Sequence, residues 1–132
     1  MNKIVAFTDL HVWQEGHKLV IGVYENTKKF PKEETYSMIN QMRRAASSVT
    51  ANIAEGFGRH TYPDKINFYY MAQGSLTELK NFLLIAKDIN YLNTNDFNVL
   101  MEQANVTHQL LQGFIKKSKT FINHESKIIN RV

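Results

Sequence analysis

The sequence has 132 residues, 43% of them hydrophobic and 21% charged, with a net charge of +4 at neutral pH, which is typical of a single globular domain. It contains no cysteine, so disulfides and thiolate metal sites are excluded. No stretch approaches the roughly 18 apolar residues of a membrane span, and residues 1–8 lack the apolar core of a signal peptide, so we expect a cytoplasmic protein that does not contact membranes.

Four segments with helical periodicity follow along the chain, separated by three breaks. In the first, Asp9 or Thr8 is placed to cap the start, and Phe30-Pro31 predicts the end because proline forces its predecessor out of the helical region. Its predicted core stripe consists of Leu10, Trp13, His17, Val20, Tyr24 and Thr27.

The second segment opens at Lys32-Glu33-Glu34, whose acids suit the positive end of a helix. It stops at Gly56-Phe57-Gly58, where we expect a glycine to adopt the left-handed cap conformation. Its predicted stripe consists of Ile39, Met42, Ala46, Val49, Ile53 and Phe57.

The third segment begins near Pro63-Asp64, with Thr61 or Tyr62 flanking its first turn, and the fourth begins after Asn93, with Asp96 three residues on in a capping arrangement. The third stripe consists of Phe68, Ala72, Ser75, Leu79, Phe82, Ala86 and Ile89. The fourth consists of Phe97, Leu100, Ala104, Thr107, Leu111 and Phe114.

These elements predict an all-α fold. Because the connections are short, we expect an antiparallel up-down-up-down four-helix bundle over residues 1–118. Residues 119–132 follow as a basic C-terminal tail.

The third helix carries more apolar surface than one bundle can bury. Residues 68–71 and residues 82–85 are consecutive large apolar side chains, and neighbours on a helix lie about 100° apart, so each run wraps around the helix. We interpret the surplus as an interface with further copies of the chain, the alternative being large residues scattered singly on the surface. The interface candidates are Phe68, Tyr69, Tyr70, Leu83, Leu84 and Ile85.

The second helix carries a predicted polar face. Small residues around Arg44 and Asn52 favour close approach of a neighbouring helix, and Glu55 precedes Arg59 by four residues, the favourable order for an ion pair. We interpret the face as structural, with its arginines paired to acids such as Glu78 on the third helix or to a neighbouring subunit. The alternative is that the arginines grip phosphates. The residues of this face are Arg43, Arg44, Asn52, Glu55 and Glu78.

The excess charge is concentrated at the C-terminus. Residues 116–132 hold five basic residues and one acid, whereas the other 115 residues hold eleven of each and are neutral. Such a segment can contact RNA or DNA, or it can simply be solvated. The candidate nucleic-acid contacts are Lys116, Lys117, Lys119, Lys127 and Arg131, with Arg59 as a further candidate.

Aromatic residues lie near basic ones where the second helix meets the third. The basic residues here are Arg59, His60 and Lys65. The aromatic residues near them in the sequence are Phe57, Tyr62, Tyr69 and Tyr70. They could stack bases as in single-strand binders, but we favour a corner packed against a neighbouring subunit.

No catalytic, cofactor or metal constellation stands out. The five histidines form no metal-binding motif, and no phosphate-binding loop is present. Gly74-Ser75 lacks the surroundings of a nucleophile and is better explained by close helix packing. We therefore expect a protein that is not an enzyme and binds no cofactor.

Four ordered motifs nevertheless resemble a known family. They are residues 7–14, residues 27–31, residues 41–58 with their Asn52-Ile53-Ala54-Glu55-Gly56 core, and residues 74–79. Together, over about residues 5–118, they look like the four-helix bundle proteins first noted in intervening sequences of bacterial large-subunit (23S) ribosomal RNA genes.

The resemblance implies a bacterial protein that assembles as a ring-like homopentamer, in a family for which no enzymatic activity is established. A related branch, the accessory proteins of diversity-generating retroelements, binds nucleic acid and a reverse transcriptase through a strongly basic surface, from which the neutral body of this chain departs. We therefore expect a self-assembling scaffold that binds nucleic acid. The alternative is an adaptor that recruits a partner enzyme, such as a reverse transcriptase, through the oligomer surface.

Overall fold

The computed structural model describes the backbone of residues 3–130 and the side chains of residues 3–122. Within that part the chain is all-helical, as predicted, with no strand. The four helices are α1 (His11–Thr27), α2 (Asn40–Phe57), α3 (Tyr62–Asp88) and α4 (Thr94–Asn130). A 3₁₀ turn (Phe7–Asp9) precedes α1, and a 3₁₀ turn (Lys32–Glu34) followed by a π-helix (Thr35–Ile39) leads into α2. None of the described helices is long and apolar enough to cross a membrane.

The start of α1 differs from the prediction. Asp9 does not cap the helix; its carboxylate accepts the backbone N–H groups of Ala6 and Val5, each at 2.9 Å, and closes the 3₁₀ turn instead. These two hydrogen bonds stabilise the charged form and lower the pKa of Asp9. The predicted Asp9 or Thr8 cap is therefore wrong, and Leu10 occupies the cap position without a side-chain bond.

The other helix ends follow local chemistry more closely. Thr61 Oγ1 accepts the Asp64 N–H at 3.4 Å at the start of α3, and Asn93 Oδ1 accepts the Asp96 N–H at 2.7 Å at the start of α4. The expected left-handed glycine after α2 is wrong, since Gly58 has φ −80°. The left-handed residue is Asn90 (φ 67°), which ends α3.

One hydrophobic core lies between the four helices. The predicted stripes of α2 and α4 are buried almost throughout, with Phe57 and Phe114 half-buried at their ends. The stripe of α1 is displaced: the buried residues are Val12, Gly16, Leu19, Val23 and Thr27, while His17 and Tyr24 are exposed. On α3 the buried set is Ile66, Tyr69, Ala72, Leu76, Leu79, Leu83 and Ala86.

Each helix packs on the next, and α4 also packs on α1. Ser75 Oγ donates to Ser48 Oγ at 2.9 Å between α3 and α2. Its neighbour Gly74 is exposed, with no described atom within 4 Å of where a Cβ would sit, so close packing explains Ser75 but not Gly74. Between α4 and α1, Gln103 Nε2 donates to the Glu15 carbonyl at 2.8 Å.

α4 does not end where the tail was expected to begin. The helix continues unbroken from Thr94 to Asn130, so the backbone of residues 119–130 extends the fourth helix. The helix therefore crosses residue 118 without a break, and the division of the chain into a bundle and a basic tail stays a prediction.

Candidate nucleic-acid interface and self-association groove

Arg43 has a structural role, but with a different partner from the one expected. Its Nε donates to Thr27 Oγ1 at 2.9 Å, and its guanidinium lies 4.6 Å from the ring centroid of Tyr24. Both partners are on α1, so Arg43 ties α2 to α1. Among the described residues neither Arg43 nor Arg44 forms an ion pair with Glu78, and that predicted pairing is wrong.

The rest of the polar face borders α3 through uncharged groups. Asn52 Nδ2 donates to the backbone oxygen of Ser48 at 2.8 Å and lies 3.0 Å from its Oγ, and Ser48 accepts from Ser75 on α3. Arg44 is exposed and lies 3.4 Å from Gln41 Oε1. The small polar residues thus join α2 to α3, while Arg44 faces solvent.

The predicted pair of Glu55 and Arg59 is present, with Arg59 Nη2 2.9 Å from Glu55 Oε1. The guanidinium of Arg59 also lies 4.5 Å from the centroid of the Phe68 ring. Because a carboxylate and a ring already engage this arginine, it is a weak candidate for a phosphate contact.

The six interface candidates on α3 divide into core and surface. Tyr69 is 2% exposed and Leu83 is fully buried, so both pack in the core of the chain and their assignment to an interface is corrected. Burial raises the pKa of Tyr69 to about 12, with a smaller contribution from Tyr62. Tyr70, Leu84 and Ile85 are exposed, and Phe68 is half-buried beneath Arg59.

An apolar groove, which we call the α2–α3 groove, lies between the π-helix and the end of α3. Tyr36 is 94% exposed there, and Ile85 and Ile89 are 40% and 47% exposed. The groove measures about 520 Å³. Its lining residues are Glu34, Tyr36, Ser37, Met38, Gln41, Phe82, Ile85 and Ile89. Of the predicted interface residues, Ile85 alone lines it, whereas Tyr36 and Ile89 were not among the candidates.

The candidate lysines of α4 face two different sides. Lys117 lines a cleft of about 350 Å³, which we call the aromatic cleft. Lys116 and Lys119 border a smaller depression, where Lys119 Nζ lies 5.1 Å from the centroid of the Tyr70 ring. The side chains of Lys127 and Arg131 lie outside the described residues.

The aromatic cleft combines the start of α3 with the second half of α4. Its lining residues are Ile4, Leu10, Phe57, Tyr62, Lys65, Tyr69, Phe114, Lys117, Ser118 and Phe121. Tyr62 and Phe121 stack with centroids 4.9 Å apart and planes at 28°, and Lys65 Nζ donates to the Phe57 carbonyl at 2.6 Å. The described lining therefore holds two lysines and no carboxylate.

The aromatic and basic corner seen in the sequence is thus distributed over separate places. Phe57, Tyr62 and Lys65 line the cleft, Tyr69 forms its floor, and Tyr70 faces Lys119 elsewhere. The sequence reasoning missed Phe114 and Phe121 because they come from the far end of the chain. A signal was present: Phe114, Ser118 and Phe121 continue the stripe of α4 at steps of four and three.

A second polar cluster joins α3 to α4. Lys80 Nζ lies 2.7 Å from His108 Nδ1, and the Gln73 side-chain amide lies 3.3 Å from His108 Nε2. Burial, and then the charge of Lys80, lower the pKa of His108, while burial lowers the pKa of Lys80. A neutral His108 that accepts from Lys80 through Nδ1 fits this arrangement. The described residues contain no group of three or more His, Asp or Glu side chains suited to a metal.

Comparison with known proteins places the chain in a family. None of the curated proteins matches it. A crystal structure of a protein of unknown function from the S23 ribosomal protein family of Bacteroides thetaiotaomicron has a similar fold, with a TM-score of 0.74 and 21% sequence identity over 80% of this chain and 95% of that chain. The sequence pattern of the 23S rRNA-intervening sequence proteins matches residues 8–113. The chain therefore belongs to the 23S rRNA-intervening sequence protein family.

Proposed function

We propose that the protein is a non-enzymatic cytoplasmic scaffold that self-assembles and presents a surface to nucleic acid. The observation that carries the proposal is the α2–α3 groove, whose Tyr36 is 94% exposed beside two half-exposed isoleucines. Removing apolar surface of these side chains from water contributes about 25 cal/mol per Å², so a partner that covers the groove would be stabilised. A second copy of the chain is the simplest cover.

The proposed subunit is an antiparallel up-down-up-down bundle, and the proposed assembly is the ring-like homopentamer implied by the family resemblance. The subunit arrangement is supported by the contacts between α3 and α4, which pair Tyr62 with Phe121, Tyr69 with Phe114, and Lys87 with Phe97. Partners at rising positions on one helix lie at falling positions on the other.

The experiment is light scattering on a sizing column, with absorbance recorded at two wavelengths to detect bound nucleic acid. A pentamer would have five times the chain mass of 15.3 kDa. We expect the double variant Ile85→Glu and Ile89→Glu to have a lower mass, because buried charges would oppose assembly. A matched control is Ile21→Glu, which changes a 49% exposed isoleucine on α1 and should leave the mass unchanged. A wild-type mass of 15.3 kDa would refute self-assembly.

The nucleic-acid part of the proposal rests on the exposed Lys116, Lys117 and Lys119 of α4. Changing these three with Lys127 and Arg131 to glutamine should weaken binding. The slope of the logarithm of the binding constant against the logarithm of the salt concentration should become less steep by up to about 0.7–0.9 for each lost phosphate contact. If that variant binds nucleic acid as tightly as the wild-type protein, the proposed role of these residues is refuted.

An adaptor that recruits a partner enzyme, such as a reverse transcriptase, is the second candidate. The balanced charge outside residues 116–132 and the apolar character of the groove favour it. A complex that persists at high salt would support this function, since apolar interfaces are screened little by ions.

A further inference from the structure

The aromatic cleft keeps ring surface accessible even though its rings are held in place. Phe121 is 37% exposed while it stacks on Tyr62, and Phe57 and Phe114 are half-buried beside it. Neighbouring rings already fix these side chains. They would therefore lose little conformational entropy when a planar ligand stacks on them. The cleft is therefore a preorganised surface for a flat aromatic group.

The charged side chains among the described residues that line the cleft are lysines. Lys65 is fixed by its bond to the Phe57 carbonyl, with Nζ 5.5 Å and 5.8 Å from the centroids of Phe57 and Tyr62. Lys117 is exposed at the cleft, and no carboxylate lines its described part. A ligand that complements this lining combines an aromatic plane with a negative charge.

The volume of the cleft limits the size of the ligand that it can hold. At about 350 Å³ it lies at the small end of the range for ligand sites, which suits one base with its sugar. We infer that the aromatic cleft binds one unstacked base of single-stranded nucleic acid, with Lys117 contacting the adjoining phosphate. This inference rests on the nucleic-acid part of the proposed function and specifies it.

Duplex nucleic acid does not fit the cleft in the same way. Bases within a duplex are already stacked and paired, whereas single strands and loops expose their faces to aromatic side chains. Stacking accepts every base, so the cleft should prefer single strands with little dependence on sequence.

The test compares two labelled oligonucleotides of equal length by fluorescence anisotropy: a single strand of uridines and an abasic strand with the same phosphates. Stacking contributes about 5- to 150-fold per base, so the wild-type protein should bind the uridine strand at least about fivefold more tightly. Phe121→Leu keeps an apolar side chain but removes the ring, and should abolish the preference for bases. Phe121→Tyr keeps the ring and should retain it. Tyr62→Leu and Tyr62→Phe form a second pair should the first leucine variant fail to fold.

The phosphate contact is tested separately. Lys117→Gln should weaken binding of both strands and reduce the salt slope by about 0.7. Lys32→Gln changes an exposed lysine of the turn before α2 and should alter neither value.

Three results would overturn the inference. Equal affinity of the wild-type protein for both strands would refute the proposed contact with a base, although salt-dependent binding of nucleic acid could still occur. No binding of either strand would refute both the inference and the nucleic-acid part of the proposed function. A change of oligomer mass in Phe121→Leu would show that the cleft is covered by another subunit.

Discussion

Gly56, in the Asn52–Gly56 motif of the family, lies where α2 is in close contact with α3. A Cβ added there would lie 2.6 Å and 2.9 Å from two carbons of the Tyr69 ring and 3.0 Å from the Lys65 carbonyl oxygen. Carbon atoms pack best at about 3.5–4.0 Å, so Gly56→Ala requires the ring to retreat by roughly 1 Å. The ring is buried and tilted against Phe114 at 4.8 Å between centroids, so a retreat would disturb this contact and the lining of the aromatic cleft.

The net effect follows from two opposing contributions. Overpacking of a core costs about 1–3 kcal/mol, and the upper part of this range applies because both a buried ring and a backbone oxygen must move. Alanine is favoured over glycine inside a helix by about 1 kcal/mol. We therefore expect Gly56→Ala to lower the free energy of unfolding by about 1–2 kcal/mol, or to lower the Tm by several degrees.

The chain supplies its own controls. Gly74 and Gly113 lie inside α3 and α4, and an added Cβ would meet no described atom within 4 Å beyond the adjacent residues and backbone of its own helix. Alanine at either position should raise stability by about 1 kcal/mol. The assay is thermal and urea unfolding at one fixed protein concentration, because the stability of an assembling protein depends on concentration. If Gly56→Ala stabilises as much as Gly74→Ala, the close contact of α2 with the Tyr69 ring is refuted.

Three further predictions concern titration and helix termination. Because the pKa of His108 is lowered, the unfolded chain takes up a proton before the folded chain as the pH falls below about 6.5. Stability in urea unfolding should therefore decrease there, and the decrease should be shallower in His108→Gln. Tyr69 should ionise near pH 12 in absorbance titrations, a step missing from Tyr69→Phe, and stability should fall as the pH rises from about 10, where unfolded tyrosine ionises, towards 12. Asn90→Ala should cost about 1 kcal/mol in urea unfolding because Asn90 has φ 67°, whereas Asn90→Gly should be neutral or stabilising.

The parts of the fold that depend on local chemistry could be predicted from the sequence. The caps at Thr61 and Asn93 are formed by neighbours three residues apart, so spacing alone is informative. The stripe of α2 was identified because small or polar residues fill the other faces of that helix. The prediction worked where one face was clearly more apolar than the rest.

The stripes of α1 and α3 were displaced for a physical reason. Trp13 stacks on His17 at 4.8 Å along one side of α1, so aromatic residues beside the core resembled the core itself. On α3, apolar residues occur on nearly every side, and several stripes fit the same sequence. Periodicity then shows that a helix forms but not which side is buried.

The aromatic cleft could not be predicted from the sequence for another reason. It forms where Tyr62 meets Phe121, residues almost sixty positions apart, and no local pattern reports such a contact. The lysines at 116, 117 and 119 also made this part of α4 resemble a solvated tail. In the structure this part of α4 is helical, and its Ser118 and Phe121 line the cleft together with Lys117.

The groove and the cleft lie at opposite ends of α3, and this separation is compatible with the proposed scaffold, in which affinity would come from assembly. Residues 62–69 and residues 82–89 are about 20 positions, or roughly 30 Å, apart, so a subunit contact confined to the groove would not itself cover the cleft of the same subunit. One stacked base and one phosphate make a weak site on a chain with a net charge of only +4. Repeating the cleft around an oligomer makes later contacts intramolecular and can raise affinity by about 10²–10⁴ without any new contact. Assembly can thus supply the affinity that the charge-neutral body of one chain does not.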